Sequence, residues 1–145
     1  MRVRVPPSAL ISFQPSANSY WKAGYRSYMY KFEKLNVWQE SIKLGEICYK
    51  ITSTLPNIER NGLGDQLRRA VTSILLNIAE GSGSGTDKEF KRYLYLSRKS
   101  LFEVVAILKF IEKIYLKINL MKVFVQCDLV GKLLNGLIKK LKSNS

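Results

Sequence analysis

The chain has 145 residues, 46% of them hydrophobic, with 24 Lys and Arg against 11 Asp and Glu, a net charge of +13 and no histidine. This length suits one domain that buries roughly 68–70% of its unfolded surface, so no disulfide or metal is needed to hold it. The missing histidine excludes Ser-His, Cys-His and His-metal chemistry, and the charge directs attention to polyanionic partners.

Residues 1–28 hold three of the four prolines, the basic residues Arg2, Arg4, Lys22 and Arg26, and no acid. That composition, without sustained periodicity, predicts either a disordered arm or an upstream read-through with Met29 as the start. The domain is expected over residues 29–145, where 20 basic residues still face 11 acidic ones. The longest uncharged stretch, Val5 to Trp21, is broken by Pro6, Pro7 and Pro15. It suits neither a membrane span nor a signal-peptide core, so a cytoplasmic protein with no membrane partner is expected. Cys48 and Cys127 lie in apolar segments outside any C-x-x-C motif, which favours reduced core thiols over a disulfide.

From Phe32 to Leu55 one apolar row runs Leu35, Trp38, Ile42, Gly45, Tyr49, and a second runs Val37, Ser41, Leu44, Cys48, Ile51, Leu55. These are helical steps, and Pro56 closes the helix. A second helix is predicted from about Ile58 to Glu80, with Leu63, Leu67, Ala70, Val71, Ile74, Leu75 and Ile78 on one arc and Gly81 as a left-handed stop. Thr86-Asp87-Lys88-Glu89 reads as a capping box opening a third helix. Its rhythm is unbroken through Phe90, Leu94, Ser97, Leu101, Val104, Leu108, Ile111 and Tyr115. A fourth helix, about Leu120 to Leu141, follows an Asn119 cap and turns Phe124, Cys127, Gly131, Leu134, Ile138 and Leu141 inward. Four amphipathic segments with short connections predict an all-α, antiparallel up-down four-helix bundle.

The Gly81–Thr86 loop offers backbone N–H groups beside a helix start, a setting that can accept phosphate. It lacks the strand and the Gly-Lys-Ser/Thr of a nucleotide loop, and a plain helix connection is the preferred reading. On the third helix, Lys91, Tyr95, Arg98, Phe102, Lys109 and Lys113 share one flank. Interleaved cations and rings suit single-stranded nucleic acid, the cations for backbone and the rings for bases. Together with Lys88, Arg92 and Lys99 they form the candidate nucleic-acid surface; the competing reading packs Tyr95 and Phe102 against a neighbour and leaves the lysines solvated. Lys132, Lys139, Lys140 and Lys142 complement the dipole of the last helix. On the second helix, Gln66, Arg69, Ser73, Asn77 and Glu80 form a polar strip between the core arc and Leu76. A strip so flanked is expected to be covered, with Arg69 and Glu80 as charge partners inside the bundle or a subunit interface. A catalytic Glu80 would need Glu89 or Glu103 as a partner, and no spacing singles them out. No catalytic residue, metal site or cofactor is expected.

Phe32-Glu33-Lys34-Leu35-Asn36-Val37-Trp38-Gln39 resembles the opening F-x-x-L-x-V-W-Q of the four-helix bundle proteins first noticed as products of intervening sequences inside bacterial 23S ribosomal RNA genes. Gln66-Leu67-Arg68-Arg69-Ala70, Ser73-Ile74 and Asn77-Ile78-Ala79-Glu80-Gly81 resemble that family's central signature. Ser97-Arg98-Lys99-Ser100-Leu101 with Glu103 resembles its A-R-G-S-L-x-E element, Lys99 standing at the usual Gly. The likeness spans about Phe32 to Leu116. It implies a homopentameric ring of four-helix bundles, and kinship with the accessory variability determinant of diversity-generating retroelements, which binds a reverse transcriptase and nucleic acid. It brings no catalytic residues, and it makes Arg69, Asn77 and Glu80, which match signature positions, architectural; Trp38, Gln66, Ser73, Leu76 and Phe102 are further expected structural or interface positions.

The leading expectation is a non-enzymatic, oligomeric bundle that binds RNA or DNA through a basic surface, as an accessory to a larger ribonucleoprotein. The rivals are a protein-interaction module whose charge only aids solubility, an RNase on a similar scaffold, and an anionic-membrane binder.

Overall fold

A computed structural model describes residues 30–143, so the expectations for residues 1–28 lie outside the described residues. A 3-10 turn, Lys31–Lys34, leads into α1 (Asn36–Thr54); a second, Asn57–Glu59, leads into α2 (Leu63–Ser82); α3 (Asp87–Ile114) and α4 (Met121–Ser143) follow. Each helix packs on two neighbours: α1 on α2 and α4, and α3 on α2 and α4. The seams run antiparallel. Ser97 Oγ donates to the Ile74 carbonyl at 2.7 Å between α2 and α3, Arg98 reaches Asn135 between α3 and α4, and Gln126 reaches Glu40 between α1 and α4. The fold is the expected all-α, four-helix bundle.

Burial follows the apolar rhythm. Of the two rows on α1, the second is the core row: Val37, Ser41, Leu44, Cys48 and Ile51 are buried, while Tyr49 from the first is exposed. On α3 the row from Phe90 to Ile111 is buried and Tyr115 half-buried. On α4, Val123 and Val130 join Cys127, Leu134 and Ile138 in the core. Both cysteines are free and buried. Burial pushes the Cys48 thiol up to about 12, helped by Cys127, and burial followed by Asp128 does the same for Cys127.

Three boundaries depart from the sequence reading. The first helix is broken at Leu35, whose ψ of 123° is extended; its carbonyl then accepts from the N–H groups of Trp38 and Gln39. The second helix begins at Leu63 rather than near Ile58. Pro56 and Gly62 bracket a tight connection there, and Gly64 passes so near the Glu59 carbonyl that a Cβ would lie 2.8 Å from it. Gly81 is no left-handed stop, because α2 runs on to Ser82 and closes at Gly83 with φ −86°. Gly81 is needed for proximity instead, since a Cβ there would lie 2.6 Å from Tyr93 Cβ.

The caps are largely as expected. Thr86 Oγ1 accepts from Glu89 N at 3.1 Å, and Asn119 Oδ1 accepts from Met121 N at 3.0 Å. The Glu89 carboxylate is engaged by Arg92 at 2.6 Å, which holds Glu89 below the usual carboxylate range.

Candidate nucleic-acid interface

The bundle's charge is divided by helix. On α1, Lys43 and Lys50 balance Glu40 and Glu46; on α2, Arg68 and Arg69 balance Asp65 and Glu80. On α3, seven Lys and Arg face four acids, and on α4 five lysines face Asp128 alone. The excess therefore sits on the α3–α4 half.

Within that half the predicted stripe has two kinds of cation. Lys88, Lys99 and Lys113 are exposed. Arg92, Arg98 and Lys109 are engaged. Arg92 pairs with Glu89 and lies 4.6 Å from the Tyr93 ring centroid. Arg98 donates from Nη1 to Asn135 Oδ1 at 3.1 Å and covers the Tyr95 ring at 4.8 Å. Lys109 sits 4.1 Å above the Phe124 ring and 3.5 Å from Glu112 Oε2. Lys91 is half-buried, as is Tyr95, which packs against the core. Phe102 is 71% exposed and is the stripe's open ring. Exposed ion pairs and cation–ring contacts on a surface are each worth about 1 kcal/mol or less, so a phosphate can displace them.

Sequence reasoning missed further exposed apolar side chains on these two helices. Phe110 and Ile114 on α3 are exposed, as are Met121, Val125 and Leu129, which recur at four-residue steps on α4. The signal is a four-residue apolar period outside the core row of α4.

The polar strip of α2 is open rather than covered within the chain. Gln66, Arg69 and Glu80 are exposed and Ser73 and Asn77 half-buried. Arg69, Ser73, Asn77 and Glu80 of the strip, with Tyr49, Thr72 and Leu76, line a groove of about 470 Å³. Arg69 does not reach Glu80; its Nη2 pairs with Asp65 Oδ2 at 2.9 Å, one turn back on the same helix. Ser73 and Asn77 have an internal use: Ser73 Oγ meets Ser100 Oγ at 2.9 Å across the α2–α3 seam, and Asn77 Nδ2 donates to the Ser73 carbonyl at 2.8 Å. Trp38 stacks obliquely on Phe32 at 4.9 Å, and its buried Nε1–H has no acceptor among the described residues.

The connection from α2 to α3 uses its hydroxyls to close α2. Ser82 Oγ donates to the Ala79 carbonyl at 2.9 Å, and Ser84 Oγ donates to that of Gly81. Among the described residues no cluster of acidic or thiol side chains could hold a metal.

A family model described as 23S rRNA-intervening sequence protein matches residues 33–136. The chain belongs to the 23S rRNA-intervening sequence protein family. A search of curated proteins finds no match. The family match runs past Leu116, where the sequence motifs ended, and takes in α4 as far as Gly136. The polar strip of α2 and the cation stripe of α3 thus both fall inside the family domain.

Proposed function

We propose that this protein is a non-enzymatic, oligomeric helical bundle that binds RNA or DNA through the basic half formed by α3 and α4. The observation that carries this reading is the segregation of charge, with α1 and α2 balanced while α3 and α4 hold the excess. A positive face on a rigid helix pair neutralises phosphates at low entropic cost, and Phe102 adds a ring on which an unstacked base can rest. Family membership agrees with a ribonucleoprotein setting, and the family's pentameric ring is the assembly proposed here. Repetition of one weak basic face around such a ring would raise avidity along a single strand.

Fluorescence anisotropy with single-stranded RNA and DNA across a salt series tests this. Log affinity falls linearly with log salt, and about five phosphates contacted give a slope near −3.5. A triple charge reversal at Lys91, Arg98 and Lys109 removes binding while light scattering shows the assembly intact. No binding at low salt, or binding indifferent to salt, overturns the reading.

The exposed Phe102 and Leu76 favour a second reading, a protein-assembly module without nucleic acid. It predicts that the wild-type protein gives no anisotropy signal and that the charge reversal disrupts assembly instead.

A further inference from the structure

One end of the bundle carries a different chemistry. The α1–α2 and α3–α4 connections meet there, tied by Tyr115 Oη donating to Glu59 Oε1 at 2.7 Å. From these two connections project Ile58, 83% exposed, and Leu116, 84% exposed, and Met121, which opens α4, is 72% exposed. Ile58 and Leu116 are the two most exposed large apolar side chains among the described residues. Next to them, between α1 and α4, opens a groove of about 410 Å³. Ile47, Ile51, Ile118 and Val123 give it apolar walls, and Lys50, Lys117 and Lys122 stand on its lining. Among the described residues these three lysines make no ion pair. The acids of this end are otherwise engaged: Glu59 by Tyr115 and the Leu63 N–H, and Asp65 by Arg68 and Arg69.

We propose that this end of the bundle docks on the surface of an anionic phospholipid bilayer, with Ile58 and Leu116 entering the headgroup boundary and Lys50, Lys117 and Lys122 holding lipid phosphates. The chemistry selects this occupant. Aliphatic tips give nucleic-acid bases no ring to stack on, so the end is a poor strand-binding surface. A second copy docked end to end would bring the same lysines together, at a cost in repulsion. A bilayer accepts convex apolar tips and rewards a rim of cations. No helix among the described residues is long and apolar enough to cross a membrane, so the contact is superficial. The site shares Lys122 with the basic α3–α4 half but none of the α3 cation stripe, and it does not depend on the proposed nucleic-acid binding.

Flotation of the full chain with phosphatidylcholine vesicles, with and without phosphatidylserine, tests the proposal. The protein floats with the phosphatidylserine vesicles only. Lys50→Gln/Lys117→Gln/Lys122→Gln weakens that binding on the order of a hundredfold. Ile58→Ser/Leu116→Ser weakens it roughly tenfold, and circular dichroism shows both variants folded, since every altered side chain projects into solvent or onto the groove rim. The Lys91/Arg98/Lys109 charge reversal retains the dependence on Ile58 and Leu116, which separates this site from the strand-binding face. Three results would overturn the proposal: no flotation with phosphatidylserine vesicles, flotation unaffected by either variant, or an Ile58/Leu116 variant that changes RNA affinity or assembly mass and leaves flotation intact.

Discussion

A methyl group on Gly81 would lie 2.8 Å from Phe90 Cδ2 as well as against Tyr93, because α3 crosses the end of α2 at that point. Both obstacles belong to the first two turns of α3 and cannot swing away as a flexible tip would. Gly81→Ala is therefore expected to destabilise the bundle by about 1–3 kcal/mol, read as a lower urea midpoint. Gly85→Ala, four residues on, is the control: a Cβ there meets nothing within 4 Å, and the midpoint should stay near wild type. The thiols give a second expectation at this scale. An unfolded cysteine loses its proton near pH 9.0, whereas burial makes the folded Cys48 and Cys127 keep theirs to about 12. The native state then binds more protons than the unfolded state throughout that window, so stability falls as pH rises above 9. Urea midpoints measured on either side of pH 9 check the sign, and a Cys48→Ala/Cys127→Ala variant should lose that part of the decline. A thiol reagent should label both positions only on unfolding.

The third helix is the element that best rewards local reading. Thr86 caps it through Glu89 N, and its 28 residues keep one buried row from Phe90 to Ile111. Thr86→Ala should cost about 1 kcal/mol, checked by thermal melting; Thr86→Asp, which keeps an acceptor at the cap, should cost little. This helix was legible because cap, rhythm and length all agree. The start of α2 was not. The expected start near Ile58 falls in a 3-10 turn where that side chain is exposed, since Pro56 and Gly62 control the connection more strongly than one apolar residue does. The candidate surface was legible as a flank of α3 but not in its contacts. A helical wheel cannot say that α4 lies alongside, and it is α4 that supplies Asn135 to Arg98 and Phe124 to Lys109. Likewise, the pairing of Arg69 was misjudged because Asp65, one turn away on the same helix, competes at shorter reach than Glu80.

Across the whole molecule, salt should act with opposite signs on folding and on nucleic-acid binding. The described helices hold five ion pairs, each within a single helix at three- or four-residue spacing and each at least partly exposed. Such pairs contribute about 0.3–0.5 kcal/mol apiece, so screening them costs the fold little. Against this stands the self-repulsion of a chain with a net charge of +13, concentrated in its folded part on α3 and α4. Raising salt from about 0.1 M to 1 M shortens the Debye length from about 10 Å to 3 Å, which relieves repulsion between neighbouring lysines on a helix pair. The melting temperature should therefore rise with sodium chloride while affinity for an oligonucleotide falls over the same range. Sodium chloride is the salt for the comparison, because sulfate also strengthens apolar burial and would raise stability for a different reason. A melting temperature that drops with added chloride would mean that attractive pairs outweigh the repulsion, and the α3–α4 half would then lack the free positive field on which strand binding depends.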